Sequence, residues 1–280
     1  FNLGFKALSA GSSRRLTRQQ VMASADGFSV REVSFTKGSA PSTIIQSIDI
    51  EEAIETVGMG RGQWIYFFIC GLFLAADAVE VSFLSFVTEV LQKPWALTEA
   101  QESTIIAVVF FGQFVGAPIW GALADRYGRK TSFLLSAWIV TIAGFATALC
   151  WNYESLVLVR AVVGFGIAGI SVPYDIFAES LPSERRGPLL MSTMYWWSVG
   201  SLYSTFMAWL TLDRGGWQLY TVTAALPTAL ASVLAIFLLP ESAHWLASEG
   251  RGKEAAGVLN GLARQNGKPV NFVEITAPHS

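Results

Sequence analysis

Six apolar segments, each about 20 residues long, occupy nearly half of this 280-residue chain. As a helix, a segment of that length crosses a hydrocarbon core of about 30 Å, because each residue adds about 1.5 Å. None of the segments alternates apolar and polar residues, as the strands of a membrane barrel do. The segments comprise residues 64–87, 104–123, 133–150, 156–177, 189–210 and 219–239. The sequence therefore predicts an all-α membrane protein, built as a bundle of six transmembrane helices.

Composition favours a lipid bilayer as the surroundings of this chain and excludes other classes of protein. Hydrophobic residues make up 52% of the chain and charged residues 14%, whereas a soluble domain has about 25% charged residues. The net charge of −2 provides no basic surface for nucleic acid. The 2 histidines and 2 cysteines form no cluster with metal-ligand spacing. We therefore expect no nucleic-acid partner, no metal and no cofactor.

The basic residues indicate how the bundle is oriented. Because the connections between segments are short, neighbouring helices must run antiparallel. Sorting the 19 lysines and arginines by side then places 16 of them at one end of the bundle. By the positive-inside rule, that end is cytoplasmic and holds both termini.

Three regions are expected along the chain. Residues 1–47 are rich in Ser, Ala and Gly, which is typical of a disordered cytoplasmic tail and only weakly of an organellar transit segment. Residues 48–243 contain the bundle and a short amphipathic helix leading into it, over residues 48–57. Residues 244–280 contain a cytoplasmic amphipathic helix, over residues 245–263, and the start of a linker. Because residue 1 is Phe rather than Met, we expect a fragment or a processed product.

Three ionisable residues stand inside the apolar segments: Asp77 and Glu80 in the first, and Arg160 in the fourth. An ionised side chain at the centre of a membrane helix costs about 2.5–3.5 kcal/mol, so each needs a partner or a water-filled cavity. By helix rise, either carboxylate could reach the guanidinium. Asp77 and Glu80 share a helix face and would repel each other if both were ionised. The pattern predicts either a proton-linked or cation-linked switch, or a static ion pair that fixes helix packing.

Glycines in the fourth segment match a dinucleotide-binding pattern. Gly164, Gly166 and Gly169 fit G-x-G-x-x-G, which would make the protein a membrane-bound oxidoreductase. That site requires a strand before the glycines and a helix after them, within a soluble βαβ unit. We therefore expect these small residues to serve close helix packing, as for Gly112 and Gly116 in the second segment.

Further polar and aromatic residues lie within the apolar segments. Tyr195 and Trp196 belong to an aromatic cluster in the fifth segment and could bind a ring or an organic cation by stacking. Packing against lipid or other helices is the simpler role for each of them. Gln113 is a polar side chain in the second segment. The candidates for proton coupling or substrate binding are therefore Asp77, Glu80, Arg160, Gln113, Tyr195 and Trp196.

The connection after the second segment reads G-A-L-A-D-R-Y-G-R-K over residues 121–130. It resembles the signature G-x-L-A-D-R-x-G-R-K of the major facilitator superfamily, which joins that superfamily's second and third helices. Residues 158–164 resemble its fourth-helix motif, with Arg160 at the arginine position that the superfamily ties to proton coupling. Residues 179–187 resemble the E-x-x-P-x-x-x-R-G of the sugar-porter and organic-ion branches, and residues 240–246 resemble their P-E-S-x-R-W-L with His244 in place of Arg. Residues 54–64 and 76–80 look most like the branch related to synaptic vesicle protein 2.

This resemblance covers residues 48–268 and implies the N-terminal half of the superfamily's fold. It implies that the first and fourth helices face a central substrate path, with alternating access as two such bundles rock. The missing C-terminal half, or a second copy, is the expected partner. The resemblance also implies a cytoplasmic network that sets which side is open, comprising Gly121, Asp125, Arg126, Gly128, Arg129, Glu179, Arg186 and Glu241.

We therefore predict a membrane transporter rather than an enzyme. It is expected to be secondary active or facilitative and to carry a small polar or charged organic solute, an organic ion or a sugar-like molecule, with H⁺ as a candidate coupling ion. The alternative is a non-transporting membrane scaffold or receptor on the same fold.

Overall fold

The computed structural model describes residues 17–18, 31–34 and 42–277. The helices are α1 (Ile50–Val57), α2 (Arg61–Gln92), α3 (Glu99–Tyr127), α4 (Arg129–Thr147), α5 (Tyr153–Ile167), α6 (Val172–Glu179), α7 (Ser183–Thr193), α8 (Tyr195–Leu238), α9 (Ala243–Ser248) and α10 (Gly252–Gln265). The strands are β1 (Thr17–Arg18), β2 (Arg31–Ser34), β3 (Ser42–Asp49) and β4 (Val270–Thr276).

Five helical segments of the described residues are long and apolar enough to cross a membrane: Arg61–Gln92, Glu99–Tyr127, Arg129–Thr147, Tyr153–Glu179 and Ser183–Leu238. The last has 56 residues, about 84 Å if straight, which is too long for one crossing. It breaks at Gly216, whose φ of 67° is a conformation that glycine adopts readily. The two halves of α8 then pack together, with Ser204 and Tyr220 joined by a 2.6 Å hydrogen bond between their hydroxyls. The predicted helical membrane bundle is confirmed, with α8 providing its fifth and sixth spans.

The fourth span is broken, where the sequence predicts continuous apolar helix over residues 156–177. Helix α5 ends at Ile167, and α6 begins at Val172 after a tight turn. Pro173 lies at the start of α6, where its missing amide hydrogen costs nothing, whereas inside a continuous helix it would remove a hydrogen bond.

Small residues bring α3 and α5 together, as predicted. A Cβ atom on Gly164 would lie 2.1 Å from the carbonyl oxygen of Val109, and one on Gly112 would lie 2.5 Å from that of Ala161. Only glycine permits backbones this close. Gly164 and Gly166 lie inside α5, with helix rather than a strand before them, so the dinucleotide-binding alternative is wrong.

One end of the bundle carries the turn between α3 and α4, the turn between α6 and α7, and the outer layer of α1, α9, α10 and the sheet. We call it the basic end, because most of the lysines and arginines among the described residues lie there. The sheet has the order β1-β2-β3-β4, with β3 and β4 parallel. Asn260 of α10 fixes β4 by donating to the carbonyl of Phe272 and accepting from its amide, each at 2.8 Å.

This outer layer differs from the sequence prediction in detail. The lead-in helix begins at Ile50 rather than at residue 48, because residues 42–49 form β3, where β-branched isoleucines favour extended backbone. The predicted disordered tail therefore ends in a strand, and apart from β1 and β2 its remainder lies outside the described residues. The predicted helix over residues 245–263 is present as α9 and α10, separated at Gly250, whose φ is 72°.

Candidate functional site

A buried ion pair joins the first and fourth spans in the middle of the bundle. Arg160 of α5 donates to Glu80 of α2 over 2.5 Å, and the exposed fractions of the two side chains are 1% and 5%. The guanidinium carbon also lies 4.8 Å from the centre of the Phe83 ring, which favours the cation further. Two charges buried this completely are tolerated because each is held by the other.

Aromatic rings cover the ion pair on the side of the sixth span. Tyr220 stacks on Phe83 with 5.5 Å between ring centres, and its hydroxyl bonds to Ser204. Gly144 of α4 borders the pair on another side, where a Cβ would lie in ordinary contact with the Glu80 carboxylate at 3.8 Å. The ion pair therefore lies in a dry space enclosed by α2, α4, α5 and α8.

The sequence leaves both Asp77 and Glu80 as possible partners of Arg160, and in the structure Arg160 pairs with Glu80. Asp77 is half-buried one turn earlier on α2, and within the described residues its buried Oδ1 has no hydrogen-bond partner. The Nε of Arg160 also lacks one there. A buried polar atom without a partner is costly, so these two atoms mark where a solute, a water or a rearranged side chain could bind.

The structure does not bring the other predicted binding residues to this pair. Tyr195 is 76% exposed at the start of α8. Trp196 packs on the rings of Phe67 and Phe68, 6.5 and 5.7 Å away, and covers Gly71. Gln113 is half-buried on α3, and it makes no hydrogen bond to the pair in the described part of the chain. Tyr195 and Trp196 therefore stay candidates for substrate binding that make no contact with the ion pair.

At the basic end, the turn between α3 and α4 is held by the residues that follow the sixth span. Gly128 adopts a φ of 100°, and a Cβ there would lie within 2.4 Å of a Glu241 carboxylate oxygen. Glu241 accepts from the amide of Lys130 at 2.9 Å. Trp245 donates through its indole to the carbonyl of Asp125 at 2.8 Å. The glycine is therefore required both by the backbone and by the carboxylate that lies against it.

A second set of contacts ties this turn to the fourth span. Arg129 forms a 3.0 Å ion pair with Glu179 and a 3.7 Å pair with Asp175, both on α6. The other oxygen of Glu179 accepts from the Ser242 hydroxyl at 2.5 Å. We call the two sets together the basic-end clamp: Gly128, Arg129, Lys130, Asp175, Glu179, Glu241, Ser242 and Trp245.

Four residues of the predicted network take no part in this clamp through their side chains. The Asp125 carboxylate forms no ion pair among the described residues, because Arg129 turns towards α6 instead and Asp125 offers only its carbonyl. Arg126 is exposed and lies over the Tyr127 ring. Arg186 donates to the carbonyl of Leu181, and a Cβ on Gly121 would meet nothing within 4 Å.

Several polar contacts at the basic end escape sequence reasoning. Gln63 is fully buried and donates to the Gly58 carbonyl at 2.8 Å, while Asn266 donates to Gln63 from 203 residues away. Glu55 accepts from both the hydroxyl and the amide of Ser183, at 2.6 and 2.7 Å. These bonds hold the pKa of Glu55 below its usual value. Sequence periodicity does not predict such contacts, because their partners are distant in sequence.

Known proteins resemble this chain in sequence. The organic cation/carnitine transporter 7 of Arabidopsis thaliana is 34% identical over 217 residues, which are 78% of this chain and 43% of that protein. The synaptic vesicle 2-related protein of Xenopus laevis is 31% identical over 221 residues, 79% of this chain and 40% of that protein. The chain therefore spans less than half the length of these relatives.

Solved structures show the same fold. The partially occluded, inward-open xylose transporter XylE from E. coli matches with a TM-score of 0.63 at 23% identity, covering 73% of this chain and 57% of that chain. XylE, described as a proton:xylose symporter of the major facilitator superfamily and bound to 6-bromo-6-deoxy-D-glucose, matches with a TM-score of 0.59 at 23% identity, over 76% and 51%. The family of sugar (and other) transporters matches residues 57–280. This chain is therefore an integral membrane protein of the sugar (and other) transporter family, within the major facilitator superfamily.

Proposed function

We propose that this chain is the N-terminal half of a transporter that works by alternating access. The observation that carries the proposal is the buried Glu80–Arg160 pair between the first and fourth spans. A pair this dry has two distinct states, because a proton on the carboxylate or a competing charge removes most of the attraction. The second six-helix half would come from further sequence of the same protein or from another copy.

In this proposal, Glu80 and Arg160 couple ion movement to the state of the bundle. Protonation of Glu80 releases Arg160, whose Nε already lacks a partner within the described residues. The freed guanidinium can then bind an anionic or hydroxyl-bearing group of the solute. Asp77, one turn away with an unpaired oxygen, is the counterpart for a cationic group.

The substrate class follows from these charges and from the relatives. A carboxylate and a guanidinium suit a small polar or charged organic solute, an organic ion or a sugar-like molecule. One relative is named an organic cation/carnitine transporter, and a structural neighbour is described as a xylose symporter. L-Carnitine and D-xylose are therefore the first probes to use.

The basic-end clamp is proposed to hold the bundle in one of its access states. It ties the turn between α3 and α4 to α6 and to the end of the sixth span through Arg129, Glu179 and Glu241. Opening that side requires these contacts to rearrange together, which makes the clamp a second two-state element.

We assign the basic end, and with it both termini, to the cytoplasm on the positive-inside rule. A test is available because Cys70 and Cys150 are free and buried, so that they contribute little background labelling. Gly257→Cys on the exposed face of α10 should react with a membrane-impermeant thiol reagent only after cells are permeabilised. Labelling of intact cells would reverse the orientation.

The function is tested by uptake into proteoliposomes that contain the complete gene product. Wild-type protein should take up radiolabelled L-carnitine or D-xylose in a saturable way, and Arg160→Ala should lose at least about 90% of that rate. Arg264→Ala is the matched control, since that arginine is exposed on α10 and forms no ion pair among the described residues. Full uptake by Arg160→Ala would show that the ion pair is structural rather than coupling.

A non-transporting scaffold or receptor on the same fold is the second candidate. The relatives related to synaptic vesicle protein 2 favour it, because their names describe a location rather than a transported solute. Folded wild-type protein that takes up neither probe, yet binds one of them saturably, would support this candidate over transport.

A further inference from the structure

A pocket with charges of both signs lies at the basic end, between the start of α2 and α7. Its volume is about 330 Å³, and it is lined in part by Trp64 and Leu189, the first residues of the apolar segments of the first and fifth spans. It therefore lies at the depth of the membrane surface, where tryptophan is enriched. Glu184 and Arg185 line it as well, and both are exposed. An indole, a carboxylate and a guanidinium thus meet where phospholipid headgroups lie.

A deeper cavity of about 630 Å³ lies between α2 and the two halves of α8. Its lining includes Leu72, Ala75, Val79, Trp196, Pro227 and Leu230. Pro227 cannot donate a hydrogen bond to the carbonyl of Thr223 one turn earlier, and the Tyr203 hydroxyl donates to that carbonyl at 2.9 Å instead. Because that carbonyl is hydrogen-bonded within the protein, the cavity needs no polar ligand and suits a hydrocarbon chain.

One face of α2 connects the two cavities. It comprises Trp64, Phe68, Leu72, Ala75 and Val79, spaced by four, four, three and four residues. The 15 helical steps from first to last span about 22 Å, which exceeds one leaflet of a hydrocarbon core of about 30 Å. Phe68 is 54% exposed and its ring centre lies 5.7 Å from that of Trp196, which lines the deeper cavity. The headgroup pocket therefore continues into the apolar cavity along this stripe of α2, which is exposed at Trp64 and Phe68 and buried at Ala75 and Val79.

We propose that this surface binds one zwitterionic glycerophospholipid from the leaflet at the basic end. Arg185 pairs with the phosphate, while Glu184 and the ring face of Trp64 hold the ammonium group. One acyl chain follows the stripe and fills the cavity. The carboxylate disfavours an anionic headgroup that has no cation to offset it.

The lipid lies away from the candidate transport site. Asp77 follows Leu72 by five residues, which places it about 140° around α2. The proposal therefore does not depend on transport, and it is tested by binding alone.

The complete gene product is purified in mild detergent to which phosphatidylcholine or phosphatidylglycerol has been added. Native mass spectrometry then counts the lipid molecules that each protein retains. Wild-type protein should retain one phosphatidylcholine and several-fold less phosphatidylglycerol. Arg185→Ala should weaken phosphatidylcholine binding about tenfold, the effect of losing one contact between charged groups. Glu184→Gln should remove the preference over phosphatidylglycerol. Arg251→Ala, which alters an arginine outside the pocket, should retain the wild-type amount.

A cavity-filling variant tests the acyl-chain site separately. Ala229→Trp places a large ring in the deeper cavity, which this residue lines, and should abolish retention without lowering the melting temperature. If that variant does not fold, Arg185→Ala and Glu184→Gln decide. Equal retention of phosphatidylglycerol, or unchanged retention by the Arg185 and Ala229 variants, would overturn the proposal. So would a change in oligomer mass at an unchanged lipid count, because the face would then be a protein contact.

Discussion

A double-mutant cycle on the buried pair should show strong coupling between Glu80 and Arg160. With side chains 5% and 1% exposed, each single replacement, Glu80→Leu or Arg160→Met, leaves an uncompensated charge in a dry space. Removal of one partner of a buried pair costs about 3–5 kcal/mol, whereas replacement of both by apolar residues is often close to neutral. The double variant should therefore recover most of the stability that either single variant loses.

The assay is reversible unfolding of the complete gene product in mixed micelles, followed by circular dichroism. Glu89→Leu is the matched control, because Glu89 is an exposed glutamate on the same helix and its replacement should change stability by less than about 0.5 kcal/mol. The reasoning is refuted if each single variant costs less than about 1 kcal/mol or if the two losses simply add.

Three other changes give separate predictions. Gly164→Ala should lower the free energy of unfolding by about 1–3 kcal/mol in the same assay, because its Cβ would lie 2.1 Å from a backbone carbonyl of α3. Gly121→Ala, whose Cβ would meet nothing within 4 Å, should leave that free energy unchanged. Equal losses would contradict the packing argument. Gly128→Ala places a side chain at a positive φ and against the Glu241 carboxylate, so trypsin should cleave the turn between α3 and α4 faster than in wild-type protein. An unchanged cleavage rate would show that the clamp tolerates the added side chain. Glu55 has a lowered pKa, so its stabilising effect, measured against Glu55→Gln, should be fully present above the ordinary pKa of 4.5 and disappear as the pH falls through the lowered value. Ser183→Ala removes the hydroxyl donor but keeps the amide donor, so it should reduce that difference, and an unchanged difference would assign the lowered pKa to another cause.

The number and rough bounds of the spans could be predicted from sequence, because the length of an apolar run directly reflects membrane thickness. The breaks inside them were harder to predict. The fourth span is interrupted between Ile167 and Val172, and Pro173 lies in the first turn of the helix that follows. Strand β3 pairs with β4 more than 200 residues later, and neither strand has a local signal for that partner.

The chemistry was predictable by residue type but not by partner. Three charges within the apolar segments could be predicted to need partners from the cost of placing them in lipid, yet the choice of Glu80 over Asp77 depends on how α2 is rotated against α5. Asp125 shows the same limit. The motif places it beside cations, while the fold directs Arg129 to Glu179.

Uptake driven by an imposed pH gradient tests the central claim most directly. Proteoliposomes with wild-type protein should accumulate L-carnitine or D-xylose above equilibrium, whichever the protein carries. Glu80→Gln, which cannot change its charge, should still exchange that solute across the membrane but no longer accumulate it. If both Glu80→Gln and Asp77→Asn proteins accumulate solute with the wild-type dependence on pH, the buried carboxylates do not couple transport and the account is wrong.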